Sequence, residues 1–247
     1  MPTKAIILGV IATLVVVTAI AITFSVLIPH EPEPVDPIKT KNMQKIEVGE
    51  RIKLPEPSYT SNVSVEEALS KRRSIRAYSG ESLTVEEVSQ LLWAAQGITS
   101  PGGGRTAPSA GALYPLELYL VVGDVEGIDK GVYRYRPEEH DLEKVKDGDV
   151  RAELAEAALG QECVKDAAID IVFTAVYERT TWKYGERGIR YVHIEAGHAA
   201  QNVYLQAVSL DLVTVVIGAF IDSEVKEIMN MQEQETPLYI MPVGRKG

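Results

Sequence analysis

The chain has 247 residues, 45% of them apolar and 24% charged, which allows one sizeable domain with a true core and argues against wholesale disorder. A net charge of −10 would repel a phosphate backbone, so nucleic acid is not an expected partner. The single cysteine, Cys163, rules out an intrachain disulfide, a cysteine-rich zinc site and an iron–sulfur cluster held by this chain alone, so redox chemistry would need a bound cofactor.

Residues 5–28, AIILGVIATLVVVTAIAITFSVLI, carry no charge and are long enough to cross a hydrocarbon core of roughly 30 Å as a helix. Ala19-Ile20-Ala21 would suit a signal-peptide cleavage site, but the apolar run continues past it, so a retained single-pass membrane anchor is expected. Lys4 on one side and Lys39, Lys41 and Lys45 on the other leave its orientation open. Residues 29–37, PHEPEPVDP, place four prolines in nine positions and predict a stiff spacer, with an extension to Tyr59 and the folded domain over 60–247.

Ser64 with Glu67 and Thr84 with Glu87 form two capping-box patterns, predicting helices over 65–72 and 85–96, the second stopped by Gly97. Residues 99–115, TSPGGGRTAPSAGALYP, read as a small-residue loop, and LELYLVVGD as a buried strand near 116–122. GVYRYR and LEKVK flank PEEHD as a hairpin, and VRAELAEAAL is an amphipathic helix. AIDIVFTAVY, TVVIGAF and PLYIMPV predict three further strands. Between them, Val192, Ala196, Ala199, Val203, Ala207 and Leu210 recur at helical spacing, while Ile194, Leu205 and Val208 cover another side; such a helix must be wrapped. Its small residues suit a domain centre or a dimer seam. The expected architecture is α+β, a sheet covered by helices.

Several clusters could carry chemistry. Arg72, Arg73 and Arg76 around Ser74 offer forks and a hydroxyl for a phosphate or ribityl chain, or else complement a helix C-terminus. The bare backbone of PSAGALYP, residues 108–115, could lie flat against a ring. His193 and His198 are five apart, about 140° around a helix, which argues against a metal site; Glu195 and His198 read as a helix-surface or interface contact. Lys183 and Tyr184, beside Arg187 and Arg190, form either a proton-transfer pair or a solvated helix start.

RRSIRAY, RTAPSAGALYPLELYLV, GVYRYRPEEHDLE, WKYGERGIRYVHIEAGHAAQNVYLQA and TVVIGAF, in that order, resemble the SagB-type branch of the FMN-dependent nitroreductase family over about residues 64–245. The resemblance implies a nitroreductase-like α+β fold, an obligate homodimer and FMN in a cleft at the subunit interface. It implies Arg72, Arg73, Ser74 and Arg76 on the phosphate and ribityl tail, Arg245 as a further phosphate contact, Pro108, Ser109, Ala110 and Gly111 along the flavin ring, and Gly218 and Ala219 near its reactive edge. Lys183-Tyr184 resembles the Lys-Tyr pair with which azoline-oxidising members abstract protons. Departures are Ala112 and Tyr114-Pro115-Leu116, where typical nitroreductases carry an Asn and a Gln-Pro-Trp, and Asp211, where many members have glycine. The implied activity is hydride exchange between flavin N5 and a small-molecule or peptide substrate, with NAD(P)H as donor or oxygen as acceptor. A non-catalytic flavin- or ligand-binding module at the membrane is the reading from another class.

Overall fold

The computed structural model describes residues 47–247. The charge-free stretch 5–28 and the proline spacer 29–37 lie outside them; among the described residues no helix is long and apolar enough to cross a membrane.

Seven strands form one antiparallel sheet in the order β1-β4-β3-β2-β5-β7-β6. They are β1 (Arg51–Lys53), β2 (Leu116–Val122), β3 (Gly131–Arg136), β4 (Asp141–Asp147), β5 (Ile169–Ala175), β6 (Leu212–Thr214) and β7 (Thr236–Arg245). The helices are α1 (Val65–Lys71), α2 (Val85–Gln96), α3 (Arg151–Ala157), α4 (Glu162–Asp166), α5 (Glu178–Tyr184), α6 (Arg187–Ser209) and α7 (Asp222–Ile228). Because successive strand residues point to opposite faces, β2 sends Leu118, Leu120 and Val122 into a core with α2 and α6, and Tyr119 and Val121 into a second core with α3, α4 and α7. Both faces are covered, which is why β2 and β5 read as dense apolar runs rather than alternating ones.

The two capping patterns diverge. At Thr84 the box is complete, with side chain and backbone of Thr84 and Glu87 bonded reciprocally; at Ser64 only the hydroxyl accepts from Glu67 N, because the Glu67 carboxylate is drawn to Lys71 at 2.5 Å. Arg51–Lys53, expected within the extension that runs to Tyr59, pairs with β4, and Leu54 beside it is buried, so the sheet begins before residue 60.

TVVIGAF is not a strand. The β6–β7 ladder ends at Thr214↔Val243; the next partner, Pro242, has no N–H to donate, and its carbonyl is taken by Thr214 Oγ1 at 2.8 Å. Residues 215–220 therefore leave the edge as a turn that touches the sheet again through Ile217 and Ile240. Asp211 supplies the left-handed residue before β6, with φ 56°, a conformation that aspartate tolerates nearly as glycine does.

Asp170 interrupts the apolar run of β5. Both its oxygens are buried without a hydrogen-bond partner among the described residues, and burial pushes its carboxyl well above the usual carboxylate range despite Arg151 nearby. Asp170→Val, which continues the surface made by Val121 and Val172, is expected to raise stability by about 1–3 kcal/mol in urea unfolding at pH 7; an unchanged midpoint would mean the carboxyl is satisfied.

Candidate active site

Helix α6 is the spine of the site. Gly188, Val192, Glu195, Ala196, Ala199, Ala200, Val203 and Ala207 form its buried stripe. The expectation that other elements wrap the helix holds on this side alone: Ile189 and Ile194 remain 44% and 47% exposed. Gly188 permits a sharp corner with α5, since a Cβ there would stand 2.9 Å from Thr181 Cα.

That corner aims Lys183 and Tyr184 at the loop before β2. A Cβ built on Gly111 would stand 2.7 Å from Tyr184 Oη and 3.0 Å from Lys183 Nζ, so only a bare backbone fits between them. Tyr184 is braced edge-on by Tyr191 at 5.1 Å, and the Lys183 ammonium lies 5.4 Å from the Tyr184 ring centre. The loop itself is strained: Gly111 (φ 67°), Ala112 (φ 55°) and Tyr114 (φ 44°) are all left-handed. Tyr114 holds it in place. Its amide donates to Ser109 Oγ at 2.9 Å, its carbonyl accepts from Arg179 Nη1 at 3.1 Å, its hydroxyl accepts from Arg105 N at 3.2 Å, and the Arg105 guanidinium covers its ring at 4.6 Å. Arg179 is anchored in turn on Glu117 at 2.6 Å. Gly111→Ala keeps the unfavourable φ and crowds the pair, so a loss of about 1–2 kcal/mol in thermal unfolding is expected; an unaltered transition would show that the loop relaxes freely.

Glu195 sits under this loop and was not singled out as a functional residue. It is 2% exposed, not a helix-surface partner of His198, because it falls on the stripe of Val192 and Ala199 at i+3 and i+4. That spacing was the available signal. Burial pushes its carboxyl up to about 7, opposed by the nearby Ser109 hydroxyl and by the charge of Arg105. Its Oε1 has no partner among the described residues. His193 is occupied by the Tyr177 hydroxyl at 2.6 Å.

A second cluster gathers around Tyr204, a residue that also escaped sequence reasoning. Its hydroxyl meets Ser74 Oγ at 3.0 Å and accepts from Val216 N at 2.8 Å, while Arg72 lies over its ring at 5.1 Å. It thus joins the arginine segment to the turn carrying Gly218 and Ala219, both of which are exposed. Arg73 is held by the carbonyls of Ser70 and Arg72, and none of Arg72, Arg73 and Arg76 forms an ion pair among the described residues. Three arginines without a carboxylate in an acidic chain are a set of donors suited to an anion. Arg245 does not join them. Its Nη2 donates to Glu87 Oε2 at 3.0 Å and its Nε to the Ser82 carbonyl at 3.1 Å, tying β7 to the start of α2.

Gly111 is therefore brought to Lys183 and Tyr184, and Ser109 to the neighbourhood of Glu195, whereas Arg72 and Ser74 are joined through Tyr204 to the turn that carries Gly218. The two clusters are distinct: Tyr204 and Glu195 are nine residues apart, about two and a half turns or roughly 13 Å along α6, on opposite edges of its buried stripe.

A profile described as the nitroreductase family matches residues 69–245. The chain belongs to the nitroreductase family. Its homologues extend this placement: a Methanocaldococcus jannaschii protein assigned as a nitroreductase is 51% identical over 195 residues, covering 79% of this chain and 96% of the relative. A solved structure of an assigned nitroreductase from Ralstonia eutropha superposes with a TM-score of 0.72 at 32% identity over 82% of this chain and 92% of that one. Another, from Anabaena variabilis, gives 0.71 at 34% identity, covering 80% of this chain and 42% of that longer one. The Escherichia coli microcin B17-processing protein McbC is 28% identical over 220 residues, 85% of this chain and 81% of the relative. The family, the antiparallel sheet and its helices make this chain a nitroreductase-family oxidoreductase.

Proposed function

We propose that this oxidoreductase binds FMN between two copies of the chain and belongs to the SagB-type branch, exchanging hydride with a substrate stacked on the ring and moving a proton through Lys183 or Tyr184. The observation that carries the reading is the approach of Gly111 to both side chains, which leaves bare backbone beside two proton-transfer groups. FMN would supply the hydride chemistry at N5. Arg72, Arg73, Ser74 and Arg76 would hold its phosphate and ribityl chain, residues 108–111 would lie along the ring, and Gly218 and Ala219 would give it close access. The residues fit the group: a donor set without carboxylates matches a phosphate, and a loop without bulk matches a flat ring.

The arrangement supports a homodimer. One chain presents the anion cluster and the ring loop on opposite edges of α6, so a second copy would complete each site, seated on the side that leaves Ile189 and Ile194 exposed. The stretch 5–28 would anchor this dimer in a membrane.

Kinship with a microcin-processing protein favours a peptide substrate and oxygen as acceptor, whereas 51% identity to an assigned nitroreductase favours reduction of a small molecule at the expense of NADH or NADPH. The test uses the full chain in detergent micelles. Its absorption spectrum and the chromatographed cofactor should give one FMN per chain, and stopped-flow mixing with each nicotinamide separates the two directions. A colourless protein that takes up no added FMN would sink the flavoenzyme reading; bound FMN that no donor reduces and no substrate reoxidises would point to a binding module instead.

A further inference from the structure

Helix α5 meets the loop before β2 at two levels, one helical turn apart. Strands β2 and β5 pair Leu116 with Ala175, so Tyr114-Pro115 and the start of α5 leave the same end of the sheet side by side, and Val176 N donates to the Pro115 carbonyl at 2.9 Å. Three residues on, Arg179 Nη1 donates to the Tyr114 carbonyl at 3.1 Å. One turn beyond that, a Cβ on Gly111 would stand 3.0 Å from Lys183 Nζ and 2.7 Å from Tyr184 Oη. Arg179 and Lys183 are at i and i+4, so they share one face of α5, roughly 5–6 Å apart at Cβ. The Arg179 level is a hydrogen bond and the Lys183 level only a close approach, so the first sets the width of the second.

Arg179 is itself held to the sheet. Its Nη2 lies 2.6 Å from Glu117 Oε1 on β2, and Glu117 Oε2 meets Arg134 Nη2 of β3 at 3.0 Å. Arg134 reaches the buried Glu235 at 3.5 Å, whose other oxygen accepts from the Tyr119 hydroxyl at 2.6 Å. The planar guanidinium fork thus spends one nitrogen on the loop and the other on the sheet, a bridge that a point charge cannot make. Tyr114 needs such a hold, because a bulky residue at φ 44° persists only where its surroundings over-determine it.

We propose that Arg179 is a positioning residue for proton transfer: by tying the Tyr114 carbonyl to Glu117 it sets the distance between the loop along which the flavin ring would lie and the Lys183–Tyr184 pair. The inference rests on the FMN reading and on the role of that pair. It assigns Arg179 an effect on rate rather than on flavin content, since the arginines proposed for the phosphate belong to the Tyr204 cluster on the other edge of α6.

The experiment uses the full chain in detergent micelles with saturating FMN. Bound FMN is photoreduced, and its reoxidation by menadione is followed by stopped-flow absorbance; two electrons and two protons pass from reduced FMN to this quinone. The proteins are the native chain, Lys183→Ala, and Arg179→Gln and Arg179→Lys, each alone and combined with Lys183→Ala. Arg134 remains to pair Glu117, so neither Arg179 variant strands that carboxylate. Arg179→Gln should keep its flavin and slow reoxidation by up to about a hundredfold, the loss that a misplacement of about 1 Å brings. Arg179→Lys, which keeps the charge but not the fork, should fall between, and it carries the same comparison should the glutamine variant not fold. On the Lys183→Ala background either Arg179 change should add nothing, because the group being positioned is gone. Losses that multiply instead would mark a merely structural arginine and overturn the inference while leaving FMN binding intact, as would a native rate in both Arg179 variants. A native rate in Lys183→Ala removes the role of the pair and the inference with it, and a native protein that takes up no FMN overturns the inference and the FMN reading together.

Discussion

Turnover of a flavin-dependent substrate is expected to fall about 10²- to 10⁴-fold when Lys183 is replaced by alanine, with flavin content unchanged, the range over which a positioned acid or base acts. Lys183 is exposed, so its removal leaves no buried orphan and no cavity, and its ammonium lies beside the bare Gly111 backbone where the ring is proposed to rest. Tyr184→Phe removes only a hydroxyl, retaining the edge-on packing on Tyr191. The two variants therefore separate proton transfer from architecture. Flavin absorbance gives occupancy, and the rate of substrate-driven flavin reduction or oxidation gives the chemistry. If both variants turn over at the native rate with full flavin, the pair has no part in catalysis.

The second large effect concerns stability. The Glu195 carboxyl is held at about 7, against 4.5 for an unperturbed glutamate. The folded state thus keeps a proton that the unfolded state has already released. Native stability is fully present below pH 4.5 and declines as pH rises towards 7, after which the loss is constant. The difference of about 2.5 pH units corresponds to a penalty on the order of 3 kcal/mol at pH 8. Glutamine cannot ionise. Glu195→Gln should therefore unfold close to the native chain at pH 5 and roughly 6–12 °C higher at pH 8, given about 2–4 °C per kcal/mol for a domain of this size. Scanning calorimetry at the two pH values decides it: an offset that does not grow with pH would mean that Glu195 is already ionised at pH 5.

The sequence carried most of the secondary structure because the signals were local. Thr84 with Glu87 and Gly97 bounded α2, and the runs LELYLVV and IDIVFTA read as buried strands because helices cover both faces of the sheet. TVVIGAF has the same composition but failed as a strand. What ends its ladder is Pro242, twenty-eight residues after Thr214, and no property of the run itself. Arg245, a phosphate contact only by the family resemblance, meets in the fold a carboxylate more than 150 residues earlier, Glu87, which no local signal in the sequence announces.

The site divides along the same line. Residue types made Lys183, Tyr184, the arginine segment and the bare loop candidates, and the family resemblance gave them roles, since side-chain chemistry and backbone freedom are properties of the residues themselves. That Gly111 meets Tyr184 and Lys183, that Glu195 is buried under Ser109, and that Tyr204 joins Ser74 to Val216 were decided by the tertiary structure. Each of these pairs residues distant in sequence. Only the crossing of α5, α6 and the sheet edge fixes their separation, and with it the burial that moves a glutamate from an ordinary acid to one that titrates near neutrality.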